Sequence, residues 1–218
     1  MIAAVIFDLD GVLLDSEGAW DAARRELVRE RGGTWKESAT REMLGMSSPE
    51  WSRYVADELG VDLSPEEISA QLLERLLDQY RRRLPLIPGA TEAVERLAAK
   101  WPLGLASSSN RGAIDLVLAE SGLDRYFKVS VSSEEVGAGK PAPDVYLEAA
   151  RQVNASPGDC VAIEDSENGI RSAHAAGMRV IAIPNHEFPP PENALGVADQ
   201  VVDSLDELTT QLVERVAA

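Results

Sequence analysis

Six short runs of β-branched and apolar residues, each followed by a stretch of helical periodicity, constrain the fold of this 218-residue chain more than any other feature. They are Ile2–Phe7, Leu103–Ala106, Val129–Val131, Val161–Ile163, Val180–Ile183 and Gln200–Val202. Strands alternating with helices predict βαβ units and a parallel sheet. Local signals support the helices between them. Ser64-Pro65-Glu66-Glu67 reads as a capping box with proline at the first helical position. Pro88-Gly89 precedes a helical run over Ala90–Lys100, and Gly177 follows Ile170–Ala176 as a C-terminal cap.

One segment breaks the alternation. From Ser16 to about Arg83 the pattern is nearly all helical, with Trp20, Leu27, Trp51, Leu59, Leu72, Leu76 and Tyr80 as candidate buried positions. The segment lies between the first and second strands, so it must leave the sheet and return, and the return runs through Leu84-Pro85-Leu86-Ile87-Pro88-Gly89. The expected fold is α/β: a doubly wound, Rossmann-like parallel sheet built from 1–15 and 84–218, with an all-α insert over 16–83.

Composition narrows the function. The apolar content of 44% and charged content of 27% predict a folded core. A net charge of −16 argues against nucleic acid and against an anionic membrane surface, both of which need a basic face. A phosphorylated substrate stays open, because a metal ion and one lysine can reverse the sign locally. The single cysteine, Cys160, suits a reducing compartment, and Met1–Phe7 has no basic region ahead of its apolar run. A cytoplasmic location is the expectation.

The polar residues that follow the strands are the candidates for chemistry. Asp8-Leu9-Asp10-Gly11 follows the first strand, and ligands of open α/β sheets bind at the carboxyl ends of strands. Two neighbouring carboxylates need a cation or a shared proton. Ser107-Ser108-Ser109-Asn110 ends the second strand, Gly139-Lys140-Pro141 leads into a helix, and Glu164-Asp165-Ser166 ends another strand. Each cluster alone fits an ordinary role as a turn aspartate, a serine-rich helix cap, a solvated lysine or an acidic loop. Their joint position at one edge of the sheet points to a site.

The order Asp8-x-Asp10-Gly11, Ser107, Lys140-Pro141, Glu164-Asp165 resembles the four motifs of the haloacid-dehalogenase superfamily. Phe-Asp-Leu-Asp-Gly-Val, Gly-Lys-Pro-Ala-Pro-Asp and Glu-Asp-Ser-x-x-Gly-Ile narrow the resemblance to its β-phosphoglucomutase-like and sugar-phosphatase branch, which carries a helical cap after the first strand. The resemblance spans essentially the whole chain. It implies that Asp8 is the nucleophile, that Asp10 is the general acid/base, and that Ser107, a Ser108 backbone amide and Lys140 hold the phosphoryl oxygens. It further implies Mg²⁺ held by Asp8, the Asp10 carbonyl and Asp165, with Glu164 acting through water. Cap hinges would lie near Leu13–Ser16 and Arg83–Pro88. Asp15, Trp20, Gly45 and Asn110 become candidate substrate or cap residues, and the expected partner is a small phosphorylated metabolite, handled by a monomer or weak homodimer.

The resemblance also separates rival activities. A mutase of this branch carries Gly-x-x-Arg in its cap to grip a second phosphate, whereas here Gly45-Met46-Ser47-Ser48 ends in serine, and Trp20 stands where that mutase has histidine. Asp15-Ser16-Glu17-x-x-Trp20 instead resembles members that dephosphorylate hexose or hexitol phosphates. Phosphomonoester hydrolysis is therefore the first expectation and a phosphosugar mutase the alternative. A haloacid dehalogenase fits less well, because Asp10 and the acidic pair are present. A non-enzymatic receiver domain would place its acceptor aspartate after the third strand. His174 and His186 suggest no serine-hydrolase triad.

Overall fold

Val5, Ile6 and Phe7 are apolar with no polar residue between them, the pattern of a strand covered on both faces. The computed structural model, which describes residues 1–43, 46–185 and 189–216, places them in a fully buried strand, β1 (Ala4–Phe7). Four helices follow: α1 (Glu17–Glu30), α2 (Ala39–Met43), α3 (Ser48–Asp57) and α4 (Pro65–Arg82). The remainder alternates as α5 (Ala90–Ala98), β2 (Leu103–Ser107), α6 (Arg111–Ser121), β3 (Phe127–Ser132), α7 (Asp144–Gln152), β4 (Cys160–Glu164), α8 (Glu167–Ala175), β5 (Arg179–Ala182), α9 (Glu192–Leu195), β6 (Gln200–Val201) and α10 (Thr210–Val216).

The strands form one parallel sheet in the order β3-β2-β1-β4-β5-β6. All six strands expected from the sequence are present, with ends shifted by one or two residues. Side-chain alternation sends Val5 and Phe7 into one hydrophobic cluster and Ala4 and Ile6 into the other, so β1 holds both helical layers together. The strand order reverses between β1 and β4, which makes the carboxyl ends of those two strands the natural crevice of the fold.

The helical insert shares the larger cluster, which runs from Phe7 and Leu105 out to Leu27, Trp51, Leu72 and Leu76. All seven expected insert positions are buried. The Ser64 capping box forms as expected: the Glu67 N–H donates to Ser64 Oγ at 3.2 Å, and the Ser64 N–H donates to the Glu67 carboxylate at 2.9 Å. The chain's exit from the sheet and its return are hydrogen-bonded to each other. The Asp15 N–H donates to the Pro85 carbonyl at 2.8 Å, and the Ile87 N–H donates to the Leu13 carbonyl at 3.0 Å. Among the described residues no helix is long and apolar enough to cross a membrane.

Candidate active site

β1 ends at Phe7, and the chain turns at Gly11, whose φ of +78° suits a residue without a side chain. A Cβ at Gly11 would run into the Asp165 carboxylate, so this glycine lets the turn after β1 approach the end of β4 closely. The same device recurs at Gly169 in α8, where a Cβ would collide with the Glu164 carboxylate. Both acidic groups at the end of β4 are thus seated against backbone.

Four strand ends and loops meet here. Lys140, buried in the loop before α7, donates to Asp8 Oδ1 at 2.6 Å and to Glu164 Oε1 at 2.7 Å. The Tyr146 hydroxyl donates to the same Glu164 oxygen at 2.9 Å. Glu164 Oε2 accepts from the backbone N–H groups of Asp165 and Ser166 at 3.0 and 3.1 Å and from Ser166 Oγ at 3.1 Å. Carboxylate oxygens of Asp8, Glu164 and Asp165 lie within 4.8 Å of one another, all three residues buried. Crowding of this kind shows in the proton affinities. Burial holds the Asp8 carboxyl well above the usual range; Lys140 opposes this, while Glu164 and Asp10 add to it. Burial also works against the Lys140 ammonium, but Asp8 and Glu164 outweigh it and keep the lysine's pKa above its ordinary value. The Tyr146 hydroxyl is pushed well up, by burial first and then by Glu164.

Asp10 has a separate setting built from serines. Ser16 Oγ donates to its Oδ1 at 2.5 Å, while Ser109 Oγ at 2.6 Å and Ser107 Oγ at 3.3 Å donate to its Oδ2. The Ser109 N–H in turn donates to Ser107 Oγ at 2.9 Å, which fixes the turn after β2. Asp8 and Asp10 therefore sit two residues apart in different company, one with a lysine and carboxylates, the other with hydroxyls.

Above this floor is a cavity of about 460 Å³. Asp8, Asp10, Ser108, Ser109, Lys140 and Asp165 line its base, and Trp20, Arg24, Arg41, Glu42, Met43, Met46 and Trp51 from the helical insert line its roof. Trp20 and Trp51 pack with ring centroids 5.6 Å apart, and the Arg24 guanidinium lies 5.0 and 5.1 Å from their centroids. Asn185 and Pro189 to Pro191 close one side.

Similarity to known proteins agrees with this geometry. The model of the haloacid dehalogenase-like hydrolases matches residues 2–177. The chain belongs to that family. This hydrolase is 32% identical over 222 residues to hexitol phosphatase B of Escherichia coli K12, covering 96% of each chain. It is 30% identical over 205 residues to the bifunctional riboflavin kinase/FMN phosphatase of Arabidopsis thaliana, where the match covers 93% of this chain and only 53% of the longer relative. Its fold matches the crystal structure of a β-phosphoglucomutase from Clostridium difficile with a TM-score of 0.86, covering 100% of this chain and 97% of that one, at 24% identity. The hydrolase is an enzyme of a family whose members named here include phosphatases.

Of the residues singled out from sequence, the fold brings Asp8, Asp10, Ser108, Lys140 and Asp165 to one cavity wall, with Trp20 facing them. Glu164 is fully buried behind them. Ser107 is also fully buried and meets Asp10 from beneath. Two residues stand apart from the cavity walls. Asp15 is exposed, and Asn110 ties β2's end to the insert, donating to Ser69 Oγ on α4 at 3.4 Å and to the Glu134 carboxylate at 2.6 Å. Gly45 and His186 lie outside the described residues, and His174 is exposed on α8.

Ser16 and Ser109 stand in the quoted motifs without a role of their own, and Tyr146 and Arg24 are not singled out by any motif. Ser16 reads as an ordinary helix N-cap, yet it makes no side-chain cap bond and its hydroxyl goes to Asp10. Arg24 was legible in principle, being four residues beyond Trp20 on one helix, the spacing at which side chains meet. No local spacing rule connects Tyr146 to Glu164, eighteen residues away.

Proposed function

We propose that this hydrolase is a Mg²⁺-dependent phosphomonoesterase acting on small sugar phosphates, with Asp8 as a covalent phosphoryl acceptor. The observation that carries the proposal is the Lys140–Asp8 contact of 2.6 Å at the base of an open cavity, beside the buried carboxylates of Glu164 and Asp165. A structural ion pair alone would not require two further acids and a 460 Å³ space above it. The names of the relatives, a hexitol phosphatase and an FMN phosphatase, support a phosphomonoester substrate.

The donor set fits Mg²⁺. It is all oxygen, anionic and tightly grouped, and the missing Cβ of Gly11 keeps the Asp165 carboxylate close to the turn after β1. Asp8 and Asp165 are the better direct ligands, because both oxygens of Glu164 already accept hydrogen bonds. When bound, the ion supplies positive charge that offsets repulsion between the carboxylates and a phosphate and stabilises charge on the transferring oxygens.

The chain's own groups divide the remaining work. An Asp8 oxygen attacks phosphorus, forming the aspartyl phosphate as the ester P–O bond breaks. Protonated Asp10, oriented by Ser16, Ser107 and Ser109, gives its proton to the leaving alkoxide. Asp10 then takes a proton from water, which attacks the same phosphorus, releasing orthophosphate and regenerating Asp8. Lys140 and the Ser108 backbone hold the phosphoryl oxygens throughout.

A panel of sugar monophosphates tests the reading, with wild type and Asp8→Asn, in Mg²⁺ and in EDTA. Phosphate release that requires both the metal and Asp8 is expected. Substantial release by Asp8→Asn would sink the mechanism, and isomerisation of β-glucose 1-phosphate without release would favour a mutase.

A further inference from the structure

Beneath the cavity lies a buried hydroxyl that this chemistry leaves unused. Tyr146 is fully buried in the first turn of α7, the helix that follows the Lys140 loop. It touches both members of the lysine–glutamate pair. Its hydroxyl donates to Glu164 Oε1 at 2.9 Å, the same oxygen that accepts from Lys140 at 2.7 Å. Its ring centroid lies 4.9 Å from the Lys140 ammonium, within the range at which an aromatic ring attracts a cation. A tyrosine buried only to fill space needs one acceptor, which any backbone carbonyl could supply. Here the acceptor is the oxygen that the lysine itself uses.

The ammonium is the movable member of this group. Lys140 has three N–H groups and is drawn by two anions, Asp8 Oδ1 at 2.6 Å and Glu164 Oε1 at 2.7 Å. Glu164 cannot follow it, because its other oxygen is held by the backbone N–H groups of Asp165 and Ser166 at 3.0 and 3.1 Å. A phenol proton on Oε1 takes up part of the charge that would otherwise draw the ammonium, and the ring gives the ammonium a further attractive neighbour.

We propose that Tyr146 is a positioning residue for Lys140, setting where the ammonium stands between Glu164 and Asp8 and hence how squarely it meets the transferred phosphoryl oxygens. The proposal rests on the phosphomonoesterase reading, in which Lys140 holds those oxygens. Without the hydroxyl, Lys140 is the sole remaining donor to Glu164 Oε1 among the described residues, and the ammonium shifts towards Glu164 and away from Asp8. Its charge stays in the site, so binding of the substrate changes little. What is lost is alignment with oxygens that gain charge in the transition state.

The test is steady-state kinetics of Tyr146→Phe, which keeps the ring and removes the hydroxyl, on p-nitrophenyl phosphate and the sugar monophosphates at saturating Mg²⁺. Values are taken per folded enzyme. Val213→Ala, a truncation of a buried residue of α10 outside the cavity walls, controls for lost stability. Tyr146→Phe should lower kcat about tenfold or more with KM within about twofold of wild type, the pattern of a misplaced group. Val213→Ala should leave both unchanged. An unchanged kcat in Tyr146→Phe, or an equal loss in Val213→Ala, would overturn the assignment while leaving the phosphomonoesterase intact. So would a kcat restored by raising Mg²⁺, which would tie Tyr146 to the metal through Glu164 and not to the lysine. No phosphate release by wild type from any of these esters would remove the phosphomonoesterase reading and this inference with it.

Discussion

The base of the cavity and its roof are built on opposite physical principles. At the base, ionisable groups are buried together and satisfied by short hydrogen bonds: Lys140 bridges Asp8 and Glu164, and three serines surround Asp10. At the roof, apolar and aromatic groups form much of the wall, with Trp20 and Trp51 flanking one guanidinium and Met43 and Met46 lining the same cavity. A polar network at fixed strand ends specifies a geometry, because any member removed leaves buried partners unsatisfied. An aromatic wall on helices specifies a shape and tolerates different ligands. The proposed function accordingly assigns the chemistry to the base and the choice of substrate to the roof.

Substitutions can break this division or sharpen it. The largest effect is expected at the base: Asp10→Asn should lower kcat by about 10²–10⁴-fold, the usual weight of a general acid/base, with little change in KM. Steady-state kinetics checks it, and a change confined to KM would move Asp10 into binding. At the roof, Trp51→Ala should cost about 3–5 kcal/mol in urea unfolding, the range for truncating a buried aromatic, and raise KM more than it lowers kcat. A dominant kcat loss in folded protein would erase the distinction between the regions.

Tyr146→Phe is smaller and probes how far the base network extends. It removes one donor from Glu164 while Lys140 and two backbone N–H groups remain, and should cost about 1.5–3 kcal/mol of stability, the weight of a hydrogen bond to a charged group. An unchanged unfolding midpoint would place Tyr146 outside the network.

The smallest effect concerns Cys160 at the start of β4, away from both regions. Burial pushes its thiol up to about 11, with Asp159 adding to the shift. The native state thus holds this proton more tightly than the unfolded chain does. The stabilisation is full below the ordinary thiol value of 9.0 and is lost as pH rises towards 11. Ellman's reagent at pH 8 should leave the native protein unmodified and react promptly in denaturant; rapid native reaction would contradict the burial.

The same contrast explains what was legible in the sequence. Strands covered on both faces write themselves as apolar runs, and the residues just after them fall at the sheet's carboxyl edge, so Asp8, Asp10 and Asp165 could be placed before the fold was known, while Lys140 was placed by the helix it precedes. The helical insert was legible from periodicity, as were Trp20, Leu72 and Tyr80 as buried positions. The contacts between elements were not. That Ser16 would orient Asp10, or that Asn110 would join α4 to the loop after β3, depends on how the insert meets the sheet. Periodicity states which face of a helix is buried but not what it is buried against. For the same reason nothing in the sequence brings Trp51, on a different helix, beside Arg24.

The central claim is that Asp8 carries the phosphoryl group. Enzyme mixed with substrate and Mg²⁺ can be quenched within a turnover and treated with borodeuteride, which reduces an aspartyl phosphate to deuterated homoserine. Peptide mapping by mass spectrometry should then find that change at position 8, dependent on substrate and absent from Asp8→Asn. Continuous phosphate release with no modification at position 8, or with the label on another residue, would contradict the account.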